Sequence, residues 1–230
     1  MVIHGIQKLT LVDFPSHIAS IIFTGACNFR CPFCHNKELV LFPDRSEKIP
    51  EEDIFAFLEK RKGMLEGVVV TGGEPTLQPD LVPFLGKLKA LGYLVKLDTN
   101  GYRPDILYKA LESGFVDYIA MDIKNSLDSY PKTAGIIDFD ESRIIESISL
   151  LKEGKIDYEF RTTVVKELHN EENFKKIGHW LEGSRRYYLQ NFVPSENTIE
   201  KGFSPCDENT IKTYLEILRN YIDNVQIRNL

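Results

Sequence analysis

The sequence is short of cysteine, of long apolar runs and of positive charge. It has four cysteines in 230 residues, too few for the disulfide framework of a small secreted protein. No apolar run approaches the roughly 20 residues of a transmembrane helix, and residues 1–20 lack the basic and apolar segments of a signal peptide. The formal net charge of −6 gives no basic field for a nucleic-acid backbone. We therefore expect a cytoplasmic protein that binds neither membranes nor nucleic acid.

Short β-rich runs alternate with longer amphipathic segments along the rest of the chain. This alternation predicts a parallel α/β fold, either a barrel or a doubly wound sheet. We expect one domain over residues 1–230, with residues 1–17 as an N-terminal extension that packs on it. The predicted strands are 18–25, 67–72, 93–99, 116–122, 158–164 and 186–192. The predicted helices are 79–91, 104–113, 140–153, 171–182 and 207–222.

Polar sequences follow most of these strands at the point where each strand ends. They read TGGE, DTNG, MDIK, RTT and QNF. Because the carboxyl ends of parallel strands open on one face, these residues should converge there. A single cluster of this kind is as compatible with a tight turn as with a site. Five clusters together favour a functional site.

Three cysteines crowd into the loop after the first predicted strand. Cys27, Cys31 and Cys34 have the spacing C-x3-C-x2-C, which suits a compact metal centre. A structural zinc site or an electron-transfer cluster uses four protein ligands, whereas a centre built for chemistry keeps one coordination position open. His35 or Cys206 could supply zinc with a fourth ligand, so a zinc-stabilised binding module and an electron-transfer protein remain as alternatives.

The segment CNFRCPFC resembles the C-x3-C-x-aromatic-C signature of radical S-adenosylmethionine (SAM) enzymes. The motifs GGEP, DTNG, MDIK and RTTVV follow in that family's order, at suitable strand ends. The nearest resemblance is to the activating enzymes of glycyl-radical enzymes. Within that group, the opening KLTLVDFP followed by CPFCHN is most similar to the activating proteins of anaerobic ribonucleotide reductase. The resemblance implies an incomplete (β/α)6 barrel, a partial TIM barrel, that is open along one side.

The resemblance also implies the cofactors and the reaction. One 4Fe-4S cluster would bind Cys27, Cys31 and Cys34, and SAM would occupy the iron that no cysteine holds. One electron would cleave SAM to methionine and a 5′-deoxyadenosyl radical, which would install a glycyl radical on an anaerobic ribonucleoside-triphosphate reductase. A flavodoxin- or ferredoxin-type protein would supply the electron. A pyruvate formate-lyase activase, or a radical enzyme acting on a peptide or small molecule, is the alternative within the family.

Individual roles are carried over from the resemblance. Phe33 would lie against the adenine, Glu74 would meet the methionyl ammonium through its carboxylate or backbone carbonyl, and Lys124 and Arg161 would contact a carboxylate. The implied cofactor-binding residues are Phe33, Gly72, Gly73, Glu74, Asp98, Thr99, Asn100, Lys124, Arg161, Thr163 and Gln190.

Two further features of the sequence bear on the choice within the family. Asp98, Thr99 and Asp122 match residues that hold a monovalent cation beside the cofactor in pyruvate formate-lyase activases. Those enzymes also carry a histidine near the ribose after the last strand, where this sequence aligns Val193. The difference counts against pyruvate formate-lyase as the target and leaves Gln190 and Asn191 as candidate substitutes.

Overall fold

Seven parallel strands and one antiparallel edge strand form a single sheet in the computed structural model, which describes residues 1–45 and 47–228. The strands follow chain order across the sheet, and only β1 and β2 are antiparallel. Within the described ranges the first and last strands do not pair, so the barrel is open, as expected. The strands are β1 Ile3–Thr10, β2 Ala19–Thr24, β3 Gly67–Gly72, β4 Leu94–Thr99, β5 Tyr118–Asp122, β6 Asp157–Val164, β7 Tyr187–Asn191 and β8 Val225–Arg228.

All six predicted strands are present, each within two residues of its predicted ends. The sheet has two more strands than the sequence predicted. β1 lies in the expected N-terminal extension and pairs along the edge of β2. β8 contains part of the NVQI run and pairs with β7. β8 has only four residues, too few for its alternation to distinguish a strand from a loop.

The helices lie between the strands, as parallel crossovers require. Five were predicted, and three short or weakly marked ones, α1, α2 and α5, were not. The helices are α1 Lys37–Leu41, α2 Glu51–Glu59, α3 Leu81–Ala90, α4 Pro104–Glu112, α5 Tyr130–Ala134, α6 Glu141–Lys152, α7 Glu171–Trp180 and α8 Glu208–Arg219, with a 3-10 turn at Pro75–Leu77. Among the described residues, none of these helices combines the length and apolarity needed to cross a membrane.

Side chains on the concave face of the sheet change character along the strands. Near the amino ends, a small apolar cluster contains Ile21, Val69 and Tyr118. Toward the carboxyl ends the inward positions are charged: Asp122 on β5 is the register partner of Arg161 on β6. The convex face, by contrast, joins the main hydrophobic core under the helices. The fold therefore places charged groups where the strands end.

Candidate functional site

A cavity of about 190 Å³ lies at the carboxyl ends of the strands. Its wall gathers residues that are far apart in sequence, from the cysteine loop to β6. The predicted site residues that line it are Cys27, Cys31, Phe33, Cys34, Gly72, Gly73, Glu74, Asp98, Thr99, Asn100, Asp122, Lys124, Arg161 and Thr163. The cavity is lined by every predicted position except Gln190. Gln190 and the alternative Asn191 lie on β7 outside this lining, although Gln190 is the register partner of Thr163.

The cysteine loop is held against β3 by close backbone contact. The Glu74 amide donates to the Ala26 carbonyl at 2.8 Å, just before the first cysteine. A Cβ on Gly73 would lie 1.9 Å from the same oxygen, so only glycine permits this approach. On the other side of the loop, the Arg30 amide donates to the Ala134 carbonyl at 2.9 Å. Backbone contacts therefore fix the loop at two points, one after the end of β3 and one at the end of α5.

Cys31 is buried and Cys27 and Cys34 are partly buried, and this environment favours the protonated form of all three loop thiols. Burial, with a contribution from Glu74, raises the pKa of Cys27 to about 12. Burial likewise raises the pKa of Cys31 to about 11 and raises the pKa of Cys34. Iron would have to displace these protons, because thiolates are the ligands of iron–sulfur clusters.

The donor set suits a cluster better than a single zinc ion. Cys27, Cys31 and Cys34 share one cavity, yet the described residues include no group of three or more His, Cys, Asp or Glu gathered closely enough for one metal ion. Cys206 does not join them: it is buried beside Asn191, whose amide exchanges two hydrogen bonds with the Cys206 backbone. Three thiols around an open space fit a multi-iron group that leaves one iron for another ligand.

Glu74 is fully buried and joins the end of β3 to the end of β4. Oε1 accepts hydrogen bonds from the Thr76 amide at 3.1 Å and hydroxyl at 2.5 Å, and from the Thr99 hydroxyl at 2.7 Å. Oε2 accepts from the Asn100 amide at 2.7 Å. Burial raises the pKa of this carboxyl group against the opposing effect of these donors. Since the carboxylate already has four donors, backbone carbonyls of the GGE turn are better placed to receive an ammonium group.

Asn100 continues this connection to the cysteine loop. Its side-chain amide donates to Asn28 Oδ1 at 2.8 Å and lies 3.8 Å from Cys27 Sγ. Its own Oδ1 accepts from the Tyr102 amide at 3.0 Å. The DTNG motif therefore contacts the metal-binding loop directly.

A chain of alternating charges crosses the cavity floor. Lys96 Nζ lies 2.5 Å from Asp98 Oδ1, and Arg161 bridges Asp98 at 3.0 Å and Asp122 at 2.5 Å. Lys124 Nζ lies 2.8 Å from the other oxygen of Asp122. Lys124 and Arg161 both line the cavity, so they are the cations available to an anionic group such as a carboxylate.

Burial and charge act in opposite directions on these acids. Burial opposes ionisation of Asp98, but the charges of Arg161 and Lys96 outweigh it and lower its pKa. The same balance, with Arg161 and Lys124 as the cations, holds the pKa of Asp122 well below its usual range. Burial lowers the pKa of Lys124, but the charge of Asp122 raises it by more, so the net change is an increase. Asp98, Asp122 and Lys124 are therefore ionised at neutral pH.

Sequence reasoning missed two residues that shape the site. Lys96 could have been found from the sequence, because it stands two positions before Asp98 in the same strand and so lies on the same face of the sheet. His169 could not, because it comes from a loop after β6. Its Nδ1 accepts from the Val165 amide at 3.1 Å and its Nε2–H donates to the Lys124 carbonyl at 2.9 Å. It therefore positions the backbone that bears Lys124.

The sequence of this chain is similar to those of known proteins. The family model described as "Radical SAM superfamily" matches residues 21–181. A Methanocaldococcus jannaschii protein, provisionally named a glycyl-radical enzyme activating enzyme, is 32% identical over 234 residues, covering 99% of this chain and 96% of its own. A Saccharolobus solfataricus protein, provisionally named a GTP 3′,8-cyclase, is 36% identical over 161 residues, covering 68% of this chain and 50% of its own.

Among solved structures, a domain of pyruvate-formate lyase-activating enzyme from Bacteroides vulgatus has a TM-score of 0.57 at 18% identity, covering 71% of this chain and 99% of that domain. At this identity the likeness concerns the fold, and it confirms the predicted partial barrel. The matches also confirm the resemblance noted from the motifs and the expectation of an oxidoreductase. The chain belongs to the radical SAM superfamily, whose members use a 4Fe-4S cluster and S-adenosylmethionine.

Proposed function

We propose that this protein is the activating enzyme of a glycyl-radical enzyme and that its target is an anaerobic ribonucleoside-triphosphate reductase. The extent of one alignment supports the activating function. The alignment with the relative named for glycyl-radical activation covers nearly all of both chains, at 99% and 96%, whereas the chain spans only 50% of the cyclase. The match to the activating enzyme therefore includes the ends of the chain as well as the shared barrel.

The cavity residues have chemically suitable roles under this proposal. Cys27, Cys31 and Cys34 would hold the cluster, which when bound supplies the electron that divides SAM into methionine and a 5′-deoxyadenosyl radical. Lys124 and Arg161 would orient the methionyl carboxylate by charge-assisted hydrogen bonds. The proposed SAM contacts are Phe33, Gly72, Gly73, Glu74, Asp98, Thr99, Asn100, Lys124, Arg161, Thr163 and, from the sequence alone, Gln190.

Exposed apolar side chains near the cysteine loop favour a large substrate. Ile137 is 96% exposed and follows Gly135, whose Cα hydrogen faces the Arg30 carbonyl of the cysteine loop. Val193 is 55% exposed, and its carbonyl oxygen lies 2.7 Å from His35 Nε2. Apolar side chains beside both flanks of the cysteine loop would be covered by a partner protein that presents a glycine-bearing loop.

The choice of partner rests on sequence motifs. KLTLVDFP and CPFCHN favour the ribonucleotide-reductase group, and Val193 stands where pyruvate formate-lyase activases carry histidine. The proposal includes a flavodoxin- or ferredoxin-type reductant, a cytoplasmic location and a single domain over residues 1–230.

Activation of the partner can be measured directly. The anaerobically reconstituted enzyme, SAM and reduced flavodoxin are mixed with an anaerobic ribonucleoside-triphosphate reductase, and electron paramagnetic resonance (EPR) spectra are recorded. The proposal predicts a glycyl-radical signal on the reductase that disappears when the reductase's radical-bearing glycine is replaced by alanine. Pyruvate formate-lyase in the same assay is the target control. A radical only on the lyase would overturn the choice of partner, and SAM cleavage with no radical on either protein would contradict the activating function.

A further inference from the structure

Lys96 is a buried lysine in the middle of β4. It is 1% exposed, and among the described residues its ammonium group makes one hydrogen bond and ion pair, to Asp98 Oδ1 at 2.5 Å. Its neighbours Val95 and Leu97 point to the opposite face of the sheet, because side chains alternate along a strand. A buried ammonium is costly unless it is paired. The pairing with Asp98 therefore accounts for the position of this charge.

The oxygen atoms that the sequence assigns to a monovalent cation are already occupied. Asp98 Oδ1 accepts from Lys96, and Asp98 Oδ2 accepts from Arg161 at 3.0 Å. The Thr99 hydroxyl donates to Glu74 and accepts from the Gly101 amide at 3.1 Å.

Both carboxylate oxygens of Asp122 are likewise paired with protein cations. Its Oδ1 accepts from Arg161 and its Oδ2 from Lys124. A potassium or sodium ion bound to any of these carboxylate oxygens would therefore lie beside a protein cation that already neutralises it.

We propose that the ammonium group of Lys96 replaces the monovalent cation in this site. It carries the same single charge, is placed on Asp98 by the fold, and makes Lys96 a positioning residue for the DTNG segment. Asp98 adjoins Thr99 and Asn100, which bind Glu74, so the position of Asp98 affects the whole cofactor cavity. This inference concerns the SAM site and holds whichever partner the enzyme activates.

The first test uses the unaltered protein. Thermal unfolding of the cluster-free chain and SAM affinity of the reconstituted enzyme are compared in potassium, sodium and N-methylglucamine chloride at equal ionic strength. We expect the same thermal stability and the same SAM affinity in the three salts, because the positive charge beside Asp98 belongs to the Lys96 side chain. A loss of stability or of SAM affinity when the small cations are withdrawn would overturn the proposal without any variant being needed.

The second test creates a vacancy for a cation. In Lys96→Met, the loss of one buried charge-assisted hydrogen bond should weaken SAM binding about tenfold or more in N-methylglucamine. Potassium or sodium should restore most of the affinity and of the thermal stability, because the freed Asp98 oxygen can then bind the ion. Lys89→Met removes a lysine that pairs with Asp117 on the outer surface, and it should show no response to the salt. A Lys96→Met defect that no small cation reverses would contradict the proposal.

Discussion

At the scale of single residues, Glu74 shows how a buried acid organises the site. All four of its hydrogen-bond partners are donors, from Thr76, Thr99 and the Asn100 amide. The carboxylate thus joins the ends of β3 and β4 before any cofactor binds. The resemblance to the family's GGE motif predicts that the glutamate meets the methionyl ammonium. The hydrogen bonds show instead that its carboxylate binds donors of the protein itself.

Glu74→Gln should therefore lower both stability and cofactor affinity. Whichever way the amide is turned, its NH2 group faces at least one donor and leaves a buried group unpaired, which costs about 1–3 kcal/mol. Chemical denaturation and SAM titration measure the two effects. Glu112→Gln, at an exposed pair with Lys155, is the control and should change stability little. Equal behaviour of the two variants would show that the Glu74 carboxylate is not required.

At the scale of elements, the cysteine loop depends on a glycine of the neighbouring strand end. The Ala26 carbonyl lies where a Cβ of residue 73 would be. The loop conformation that presents the three thiols and the β3 turn are therefore compatible only when residue 73 is glycine.

Gly73→Ala should displace the cysteine loop and prevent cluster assembly. Iron and sulfide per chain after anaerobic reconstitution measure this. Gly92→Ala is the control, because a Cβ there meets nothing within 4 Å and the positive φ of 93° is the only strain, about 1–2 kcal/mol. The control should load iron normally. Normal loading of Gly73→Ala would show that the loop can shift without loss of the site.

The sequence predicted the elements that have strong periodicity and the residues that end the strands. Strands such as GVVVTG and helices such as α6 carry clear local signals. β8 and the short helix α5 do not, because their few residues become ordered through pairing and packing with distant segments. The site residues converged as predicted, since parallel strands end on one face. The hydrogen bonds of Glu74 and the exclusion of Gln190 from the cavity lining depend on loop geometry, which no local pattern encodes.

At the scale of the whole molecule, a buried histidine couples the site to overall stability. His169 is 4% exposed and joins the loop after β6 to the Lys124 backbone after β5. Burial lowers its pKa from the ordinary value of 6.5, against the opposing effect of the Lys124 and Val165 carbonyl groups beside the ring. The native state therefore binds this proton less readily than the unfolded chain does.

The free energy of unfolding should fall as the pH drops below about 6.5, where the unfolded histidine gains a proton and the native one does not. The loss is at most about 1.4 kcal/mol per pH unit for one proton. Denaturation between pH 7 and pH 5 should show a smaller slope for His169→Gln than for the unaltered protein. His179→Gln, at an exposed position on α7, is the control. Equal slopes in all three proteins would exclude His169 as the cause.

The account as a whole depends on a SAM-cleaving cluster held by three cysteines. The most direct test is to purify the protein without oxygen, reconstitute it with iron and sulfide, reduce it, and record EPR spectra before and after adding SAM. We expect a reduced-cluster signal that changes on addition, with formation of 5′-deoxyadenosine and methionine. The cluster signal and the SAM cleavage products should both be lost in Cys27→Ala, Cys31→Ala and Cys34→Ala. Both should be retained in Cys206→Ala. A colourless protein holding one zinc ion, or a cluster signal that SAM does not alter, would contradict the account.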